Sequence, residues 1–132
     1  MEGGQTNEFR PLILVAEDDD SNFKLIKAII GKKCDIQWAK NGEEIVALFK
    51  EYGKEAKAIL MDIKMPVMNG LDATKIIREE NKELPIIMQT AYAFSSDKEN
   101  AMNAGASEVL VKPITLSILR GTLTKYFPEL VW

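Results

Sequence analysis

The chain has 132 residues and a formal net charge of −3, a length that allows one domain with one hydrophobic core. Apolar residues make up 46% and charged residues 28%, as is typical of a globular protein, and no apolar run approaches the ~20 residues of a membrane-spanning helix. There is no histidine and one cysteine, Cys34, which excludes histidine metal sites, histidine general bases and an internal disulfide. No basic block predicts nucleic-acid binding, and no membrane contact by this domain is expected. The single cysteine fits a reduced, cytoplasmic setting.

Strand and helix patterns alternate along most of the chain. Residues 1–10 are polar and lack periodicity, so we expect a flexible lead-in to a domain that spans residues 11–132. In chain order the predicted elements are strand Leu12–Ala16, helix Ser21–Lys32, strand Cys34–Ala39, helix Asn41–Tyr52, strand Ala58–Met61, helix Leu71–Asn81, strand Pro85–Gln89, helix Ser96–Ala104, strand Val109–Val111 and helix Thr115–Tyr126.

The element ends carry their own signals. Asp20 or Ser21 is predicted to cap the first helix, because short polar side chains accept hydrogen bonds from the first free backbone N–H groups. Gly53 and Gly105 stand where the second and fourth helices are expected to end. Several strands are apolar without polar alternation, which is typical of parallel strands covered on both faces.

This alternation predicts an α/β fold with right-handed crossover connections. For five such units the common arrangement is a doubly wound parallel sheet of order 2-1-3-4-5, a flavodoxin-like three-layer sandwich. Ligand sites in such sheets form outside the carboxyl ends of the strands, where strands one and three flank the switch point. The residues that follow these two strands are therefore the first candidates for function.

Acidic residues follow both strands. Glu17, Asp18, Asp19 and Asp20 come after the first strand, and Asp62 comes directly after the third. Carboxylates that converge repel one another, and Mg²⁺ relieves that conflict because it prefers oxygen ligands. The alternative is that the acidic run only caps a helix and that Asp62 only forms a turn.

Two further strand ends carry polar groups. Thr90 follows the fourth strand, where its hydroxyl could donate to a phosphoryl oxygen, although most such threonines pack or cap. Lys112 follows the fifth strand, where a fixed cation could stabilise phosphate charge, although a lysine before a proline is commonly an exposed loop residue. A cis peptide bond at Pro113 would aim Lys112 inward.

Four motifs resemble the response-regulator receiver family: LILVAEDDDSNF, ILMDIKMPVMNG, MQTAYAF and AGASEVLVKPI. The resemblance implies that Asp62 accepts a phosphoryl group from a histidine kinase or phosphotransfer domain. Asp18 and Asp62 would bind Mg²⁺ directly and Glu17 through water, with the backbone carbonyl of Lys64 as a further ligand. Thr90 would bind the arriving phosphoryl group, and Lys112 would pair with Asp62 or the phosphate.

The resemblance also bears on the parent protein and its signalling. Asn22 and the motif TAYAF resemble the corresponding residues in receiver domains of hybrid sensor histidine kinases. The domain could therefore be the cytoplasmic part of a membrane-anchored sensor, or a single-domain regulator. Phosphorylation would change the face formed by the fourth helix, fifth strand and fifth helix, which could bind a partner or form a homodimer. As an isolated domain it would catalyse only its own phosphorylation and dephosphorylation.

One position departs from the family pattern. Many members carry Tyr or Phe three residues before the lysine of the fifth strand, where this chain has Val109. Tyr92 or Phe94 could take part of that switch role, or both could only pack against the fourth helix. Lys64 and Tyr92 could also shield the phosphoryl group from water, which predicts slow self-dephosphorylation.

Three other readings of the same residues remain. A degenerate receiver would bind partners without accepting phosphate. A haloacid-dehalogenase-like phosphatase would need a second Asp two residues after Asp62, where this chain has Lys64. A flavodoxin-like flavin carrier would need a first loop that cradles phosphate, whereas Glu17–Asp20 would repel it.

Overall fold

The computed structural model describes residues 9–92 and 95–132. Strands and helices alternate through these residues: β1 (Leu12–Ala16), α1 (Asp20–Ile30), β2 (Asp35–Ala39), α2 (Gly42–Tyr52), β3 (Ala56–Asp62), α3 (Gly70–Glu80), β4 (Ile86–Thr90), α4 (Ser95–Ala104), β5 (Glu108–Val111) and α5 (Leu116–Tyr126). Each element was predicted from the sequence, and the differences lie at the ends.

The strands form one parallel sheet in the order β2-β1-β3-β4-β5, which confirms the predicted doubly wound arrangement. The last residue of β1, Ala16, pairs with Ala39 of β2 and with Met61 of β3. The residues that follow Ala16 and Met61 therefore emerge side by side at one edge of the sheet. Thr90 pairs with Val111 at the same edge, so β4 and β5 end there too.

Two hydrophobic cores cover the two faces of the sheet. The core that contains Ile13 and Val15 is closed by α1 and α5, through residues such as Ile26 and Leu123. The core that contains Leu14 and Ala16 is closed by α2, α3 and α4. Successive residues of β1 thus enter opposite cores, and this is why the strand has no polar alternation.

Local hydrogen bonds explain where the ends differ from prediction. Asp19, and not Asp20 or Ser21, caps α1, because its Oδ2 accepts from the backbone N–H of Asn22 at 3.1 Å. The predicted second strand begins one residue too early, since the N–H of Cys34 donates to the carbonyl of Ile30 and closes the turn after α1.

The two glycines predicted at helix ends are found there. Gly53 is the C-terminal cap of α2, with right-handed backbone, so its conformation does not require glycine. Gly105 follows α4 with φ of 116°, a conformation that a side chain would strain. A Cβ at Gly105 would also lie 2.6 Å from Cγ of Arg78, whose Nε donates to the Gly105 carbonyl.

The start of the domain includes residues before β1. Phe9 packs on Phe127 with ring centroids 6.0 Å apart, and Arg10 donates to the carbonyls of Gly31, Lys32 and Cys34. The boundary between residues 10 and 11 stays a prediction, although these contacts already join the last two lead-in residues to the domain. Among the described residues, no helix has the length and apolar character needed to cross a bilayer.

Candidate functional site

Three carboxylates converge at the carboxyl edge of the sheet. Asp62 is the last residue of β3, and Glu17 and Asp18 directly follow β1. One oxygen from each lies within 4.8 Å of the others. Glu17 and Asp62 are buried, whereas Asp18 is exposed. The register between Ala16 and Met61 produces this cluster, because it aligns the ends of the two strands.

The acidic run after β1 therefore divides into two parts. Glu17 and Asp18 face Asp62, as a metal or phosphate site requires. Asp19 caps α1, and Asp20 lies in its first turn, 3.7 Å from Nζ of Lys40. Both readings of the run, capping and site formation, thus apply to different residues within it.

Lys112 brings a cation to the cluster from the end of β5. Its Nζ donates a hydrogen bond of 3.0 Å to Oδ2 of Asp62 and lies 3.5 Å from Oε1 of Glu17. The Lys112–Pro113 peptide bond is cis, the isomer considered for Pro113 from the sequence. The N–H of Lys112 donates to the carbonyl of Thr90 at 2.7 Å, which fixes the residue beyond the last ladder pair.

Burial changes the charge balance of the cluster. It raises the pKa of Glu17 to about 7, with the negative charge of Asp62 adding to the effect and the positive charge of Lys112 reducing it. Burial by itself would lower the pKa of Lys112, but its hydrogen bond to Asp62 and the charges of Asp62 and Glu17 raise it overall. Lys112 is therefore cationic at neutral pH, and one cation faces three carboxyl groups.

Glu17 is held by its backbone and by one carboxylate oxygen. Its N–H donates to the carbonyl of Ala39 at 2.9 Å, and its Oε2 accepts from the N–H of Asp19 at 3.2 Å. Its Oε1 is buried and, within residues 9–92 and 95–132, accepts no hydrogen bond. A buried carboxylate oxygen without a donor is costly, so this atom favours a ligand at the cluster.

Thr90 lies beside the cluster at the end of β4. Gln89 pairs with Asp62 in the sheet, so Thr90 is one residue beyond that pair. The Thr90 hydroxyl oxygen is buried with its residue and accepts from the N–H of Tyr92 at 3.1 Å. A hydroxyl group that accepts a hydrogen bond can also donate one, as recognition of a phosphoryl oxygen would require.

Lys64 and Tyr92 meet above the loops that follow β3 and β4. The Nζ of Lys64 lies 4.3 Å from the centroid of the Tyr92 ring, a cation–π contact. Phe94, the other aromatic residue considered for the switch, lies outside the described residues. Val109 is partly buried and packs against the core closed by α2, α3 and α4.

The loop after Asp62 is closed by glycine. The N–H of Gly70 donates to the carbonyl of Ile63 at 2.8 Å, and a Cβ on Gly70 would lie 2.2 Å from the carbonyl oxygen of Asp62. Only glycine allows α3 to start this close to the end of β3. Within this loop Val67 has φ of 70°, a left-handed conformation that is rare for a β-branched residue.

One contact of the cluster was missed by sequence reasoning. The indole Nε1 of Trp38 donates to the backbone carbonyl of Glu17 at 2.8 Å. A half-buried tryptophan on an edge strand is typical of a packing residue. The sequence carries no signal for a hydrogen bond from its indole to a backbone carbonyl.

Comparisons with known proteins agree with this geometry. The family model of the response regulator receiver domain matches residues 13–124. The chain is 40% identical over 129 residues to hybrid signal transduction histidine kinase I of Dictyostelium discoideum, covering 89% of this chain and 7% of that protein. It is 38% identical over 104 residues to the autoinducer 2 sensor kinase/phosphatase LuxQ of Vibrio vulnificus, covering 77% of this chain and 12% of that protein. The chain thus spans a small part of each relative.

Solved structures show the same fold. The receiver domain of sensor histidine kinase PA1611 from Pseudomonas aeruginosa, with magnesium in its active site cleft, is 32% identical with a TM-score of 0.81, covering 89% of this chain and 97% of that one. A second similar structure is the co-crystal structure of the Saccharomyces cerevisiae histidine phosphotransfer protein Ypd1 with the receiver domain of Ssk1. The match has 28% identity and a TM-score of 0.84, and it covers 96% of each chain.

This chain belongs to the response regulator receiver family and is a receiver domain of two-component signalling. The cluster of Glu17, Asp18 and Asp62 resembles the phosphorylation site of that family.

Proposed function

We propose that Asp62 is the residue of this receiver domain that accepts the phosphoryl group. The observation that carries the proposal is the hydrogen bond of 3.0 Å from Lys112 to buried Asp62, beside the carboxyl groups of Glu17 and Asp18. A carboxylate at a rigid strand end can be held in line with phosphorus, and a fixed cation next to it can stabilise the transferred charge.

The acidic cluster fits a Mg²⁺ ion. Oε1 of Glu17 is buried without a hydrogen-bond donor among the described residues, and three carboxyl groups face one lysine. Asp18 and Asp62 would bind the ion directly, Glu17 would act through water, and Lys64 would add its backbone carbonyl. When bound, the ion would neutralise carboxylate charge and the charge of the phosphoryl oxygens.

Transfer from a phosphohistidine would be an in-line displacement at phosphorus. An oxygen of Asp62 forms the new P–O bond, the P–N bond breaks, and its electron pair stays on the histidine ring. Lys112 can follow the charge, since it already donates to Asp62 and can redirect a proton toward a phosphoryl oxygen. The Thr90 hydroxyl, one residue beyond the partner of Asp62 in the sheet, would donate to another phosphoryl oxygen.

The phosphoryl donor would be a histidine kinase or a histidine phosphotransfer domain. This chain contains no histidine, so a phosphohistidine must lie outside these 132 residues. Two curated relatives are a hybrid kinase and a sensor kinase/phosphatase, and one similar solved structure is a receiver bound to a phosphotransfer protein. A small apolar cavity next to Lys112, lined in part by Leu25, Pro113 and Ile114, would help to seat such a partner.

The output surface would be the face formed by α4, β5 and α5. Apolar side chains exposed on these elements include Met102, Val111, Leu116 and Ile118. Engagement of Thr90 by a phosphoryl group would move the loop before α4, because Thr90 also holds the N–H of Tyr92. This face would then bind a downstream partner or a second copy of the domain. Val109 makes the usual aromatic switch impossible at its position, so movement of Tyr92 would carry more of the change.

Incubation with acetyl phosphate and Mg²⁺, followed by intact-mass measurement, tests the proposal. Wild type should gain one phosphoryl group, and Asp62→Asn should gain none. Asp72→Asn is a matched control, because Asp72 lies in the first turn of α3 and outside the acidic cluster. If neither acetyl phosphate nor a phosphorylated phosphotransfer domain modifies wild type, the domain is a degenerate receiver that acts as a binding module.

A further inference from the structure

We propose that Trp38 is a positioning residue for the Mg²⁺ site, acting through the backbone of Glu17; the inference rests on the function proposed above. The indole Nε1 of Trp38 donates a hydrogen bond of 2.8 Å to the carbonyl oxygen of Glu17. Trp38 supplies no carboxylate and is not among the residues of the acidic cluster. Its effect on the ion would be indirect, through the peptide that joins Glu17 to Asp18.

The hydrogen bond from Trp38 to Glu17 lies just beyond the point where the pairing of β1 and β2 ends. β2 ends at Ala39, and Ala16–Ala39 is the last pair between β1 and β2. The carbonyl of Ala39 still accepts from the N–H of Glu17, so the ladder holds Glu17 from one side. The carbonyl of Glu17 lies beyond the last strand pair, and the indole supplies the donor that a longer β2 would have supplied.

The geometry of the peptide unit carries this restraint to the ligands. A peptide group is planar, so fixing the direction of the Glu17 carbonyl also fixes the N–H of Asp18 on the other side of the same plane. The buried carboxylate of Glu17 and the exposed carboxylate of Asp18 then leave this peptide at set positions relative to Asp62. Without the indole donor the peptide could rotate, and both carboxylates would have to be ordered again when the ion binds.

Neighbouring side chains hold the indole in place. The ring of Phe23 stacks on Trp38 with centroids 3.9 Å apart and an angle of 1° between the planes. The Nζ of Lys40 lies 4.8 Å from the centroid of the Trp38 ring and 3.7 Å from Oδ1 of Asp20. Residues of α1 and the residue that follows β2 therefore both contact the ring. The hydrogen-bond donor is rigid, as positioning requires.

The substitution Trp38→Phe separates the donor from the packing. Phenylalanine can keep the aromatic stack on Phe23 but has no N–H group. We expect its Mg²⁺ dissociation constant, measured by calorimetry at a temperature where the variant is fully folded, to be roughly three- to ten-fold higher than that of wild type. A merely structural role for Trp38 would lower the free energy of unfolding and leave the dissociation constant of the folded protein unchanged.

Trp132 offers a closely matched control. Its Nε1 also donates a hydrogen bond, of 3.0 Å to Oγ1 of Thr124, and the guanidinium of Arg120 lies 5.0 Å from its ring. Trp132→Phe therefore loses the same kind of contact away from the acidic cluster, and its Mg²⁺ affinity should equal that of wild type. It also leaves Trp38 as the only tryptophan, since the chain has 2. The emission of Trp38 should then change with Mg²⁺, at a midpoint that matches calorimetry.

The outcomes separate this inference from the function on which it rests. If wild type binds no Mg²⁺, the proposed metal site is wrong and the inference falls with it. If wild type binds the ion and Trp38→Phe binds it equally well, Asp62 and its neighbours keep their proposed roles and only the inference is overturned. If Trp38→Phe fails to fold, the fluorescence of Trp132→Phe decides, and unchanged emission at saturating Mg²⁺ overturns the inference.

Discussion

The ammonium group of Lys112 donates a hydrogen bond of 3.0 Å to Oδ2 of Asp62, although the two residues are 50 positions apart in the chain. The same nitrogen lies 3.5 Å from Oε1 of Glu17. One cation thus contacts two buried carboxyl groups. Without metal, the cluster of Glu17, Asp18 and Asp62 has more carboxyl groups than the single ammonium group of Lys112 can neutralise. This imbalance has consequences for stability that can be measured without a phosphoryl donor.

Replacing Lys112 should destabilise the domain in the absence of metal. Lys112→Ala leaves Asp62 and Glu17 buried without a cation, and we expect a loss of about 2 kcal/mol in the free energy of unfolding. The loss should stay below that of a fully buried pair, because 20% of the Lys112 side chain is exposed. Urea unfolding in the presence of a chelator measures this change.

Lys125 provides the comparison for that experiment. Its Nζ lies only 2.7 Å from Oε2 of Glu108, closer than Lys112 lies to Asp62, but 60% of its side chain is exposed. Solvent screens exposed pairs, so Lys125→Ala should change stability little. Equal losses for the two variants would mean that burial does not set the strength of the Lys112 contact.

Glu17→Gln should stabilise the metal-free domain at neutral and higher pH. Burial and the charge of Asp62 raise the pKa of Glu17 from 4.5 to about 7. Below pH 4.5 the carboxyl group is protonated in both states; as pH rises toward 7, the unfolded chain loses the proton first, so wild type loses stability over this range. A rise of this size corresponds to a few kcal/mol, on the order of 3.

The pH dependence of unfolding checks this sign. The difference in stability between Glu17→Gln and wild type should be small in acid and should grow until the pH exceeds about 7. Glu79→Gln, at an exposed position of α3, should show no such growth. Mg²⁺ should stabilise wild type more than Glu17→Gln, because the ion relieves the repulsion that the substitution removes. A constant difference across the pH range would refute a raised pKa for Glu17.

The fold was predictable because its signals are local and repeated. Short apolar runs and amphipathic helices alternate, and the order of the strands follows from the usual handedness of such units. The ends of elements were harder to predict. Asp19, Asp20 and Ser21 are all good caps, and only the accepted hydrogen bond from Asn22 distinguishes Asp19.

The site was predictable only as far as strand ends determine it. Glu17, Asp18 and Asp62 meet because β1 and β3 are neighbours that end in register, and this follows from topology. The indole contact of Trp38 depends on the rotamer of one side chain and on the exact end of β2. The lack of a hydrogen bond to Oε1 of Glu17 among the described residues depends on atomic positions in the same way. Periodicity in a sequence carries neither kind of information.

Val67 should be replaceable by asparagine with a gain in stability. Its φ of 70° is costly for a β-branched residue, whereas asparagine adopts this conformation more readily. The Val67 side chain is 73% exposed, so little packing is lost on substitution. We expect Val67→Asn to raise the free energy of unfolding by about 1 kcal/mol, measured by urea unfolding.

Val131 distinguishes relief of backbone strain from the effect of replacing an exposed apolar side chain by a polar one. Val131 is 76% exposed, a fraction similar to that of Val67, and its φ is not positive. Val131→Asn should therefore leave stability nearly unchanged. If both variants gain equally, exposure of the apolar side chain and not the backbone conformation would account for the gain.

Tyr92→Ala should accelerate the loss of phosphate from the phosphorylated domain. The Nζ of Lys64 lies 4.3 Å from the centroid of the Tyr92 ring. Because Lys64 and Tyr92 stand two residues after Asp62 and Thr90, we expect the pair to hinder the approach of an in-line water. The substitution keeps the backbone hydrogen bond from residue 92 to Oγ1 of Thr90, because that bond uses the main-chain N–H. Phosphorylated protein freed of its donor would be followed by intact mass, and we expect decay several-fold faster than in wild type.

Lys64→Ala tests whether the two side chains act as one cover. If they do, each single variant should reach nearly the rate of the double variant, because removal of either partner opens the same path for water. Tyr52→Ala is the control, since Tyr52 ends α2 near the opposite edge of the sheet and should leave the rate unchanged. Multiplicative effects of Lys64→Ala and Tyr92→Ala would show that they act separately. An unchanged rate of phosphate loss in Tyr92→Ala would show that this ring does not shield the phosphoryl group from water.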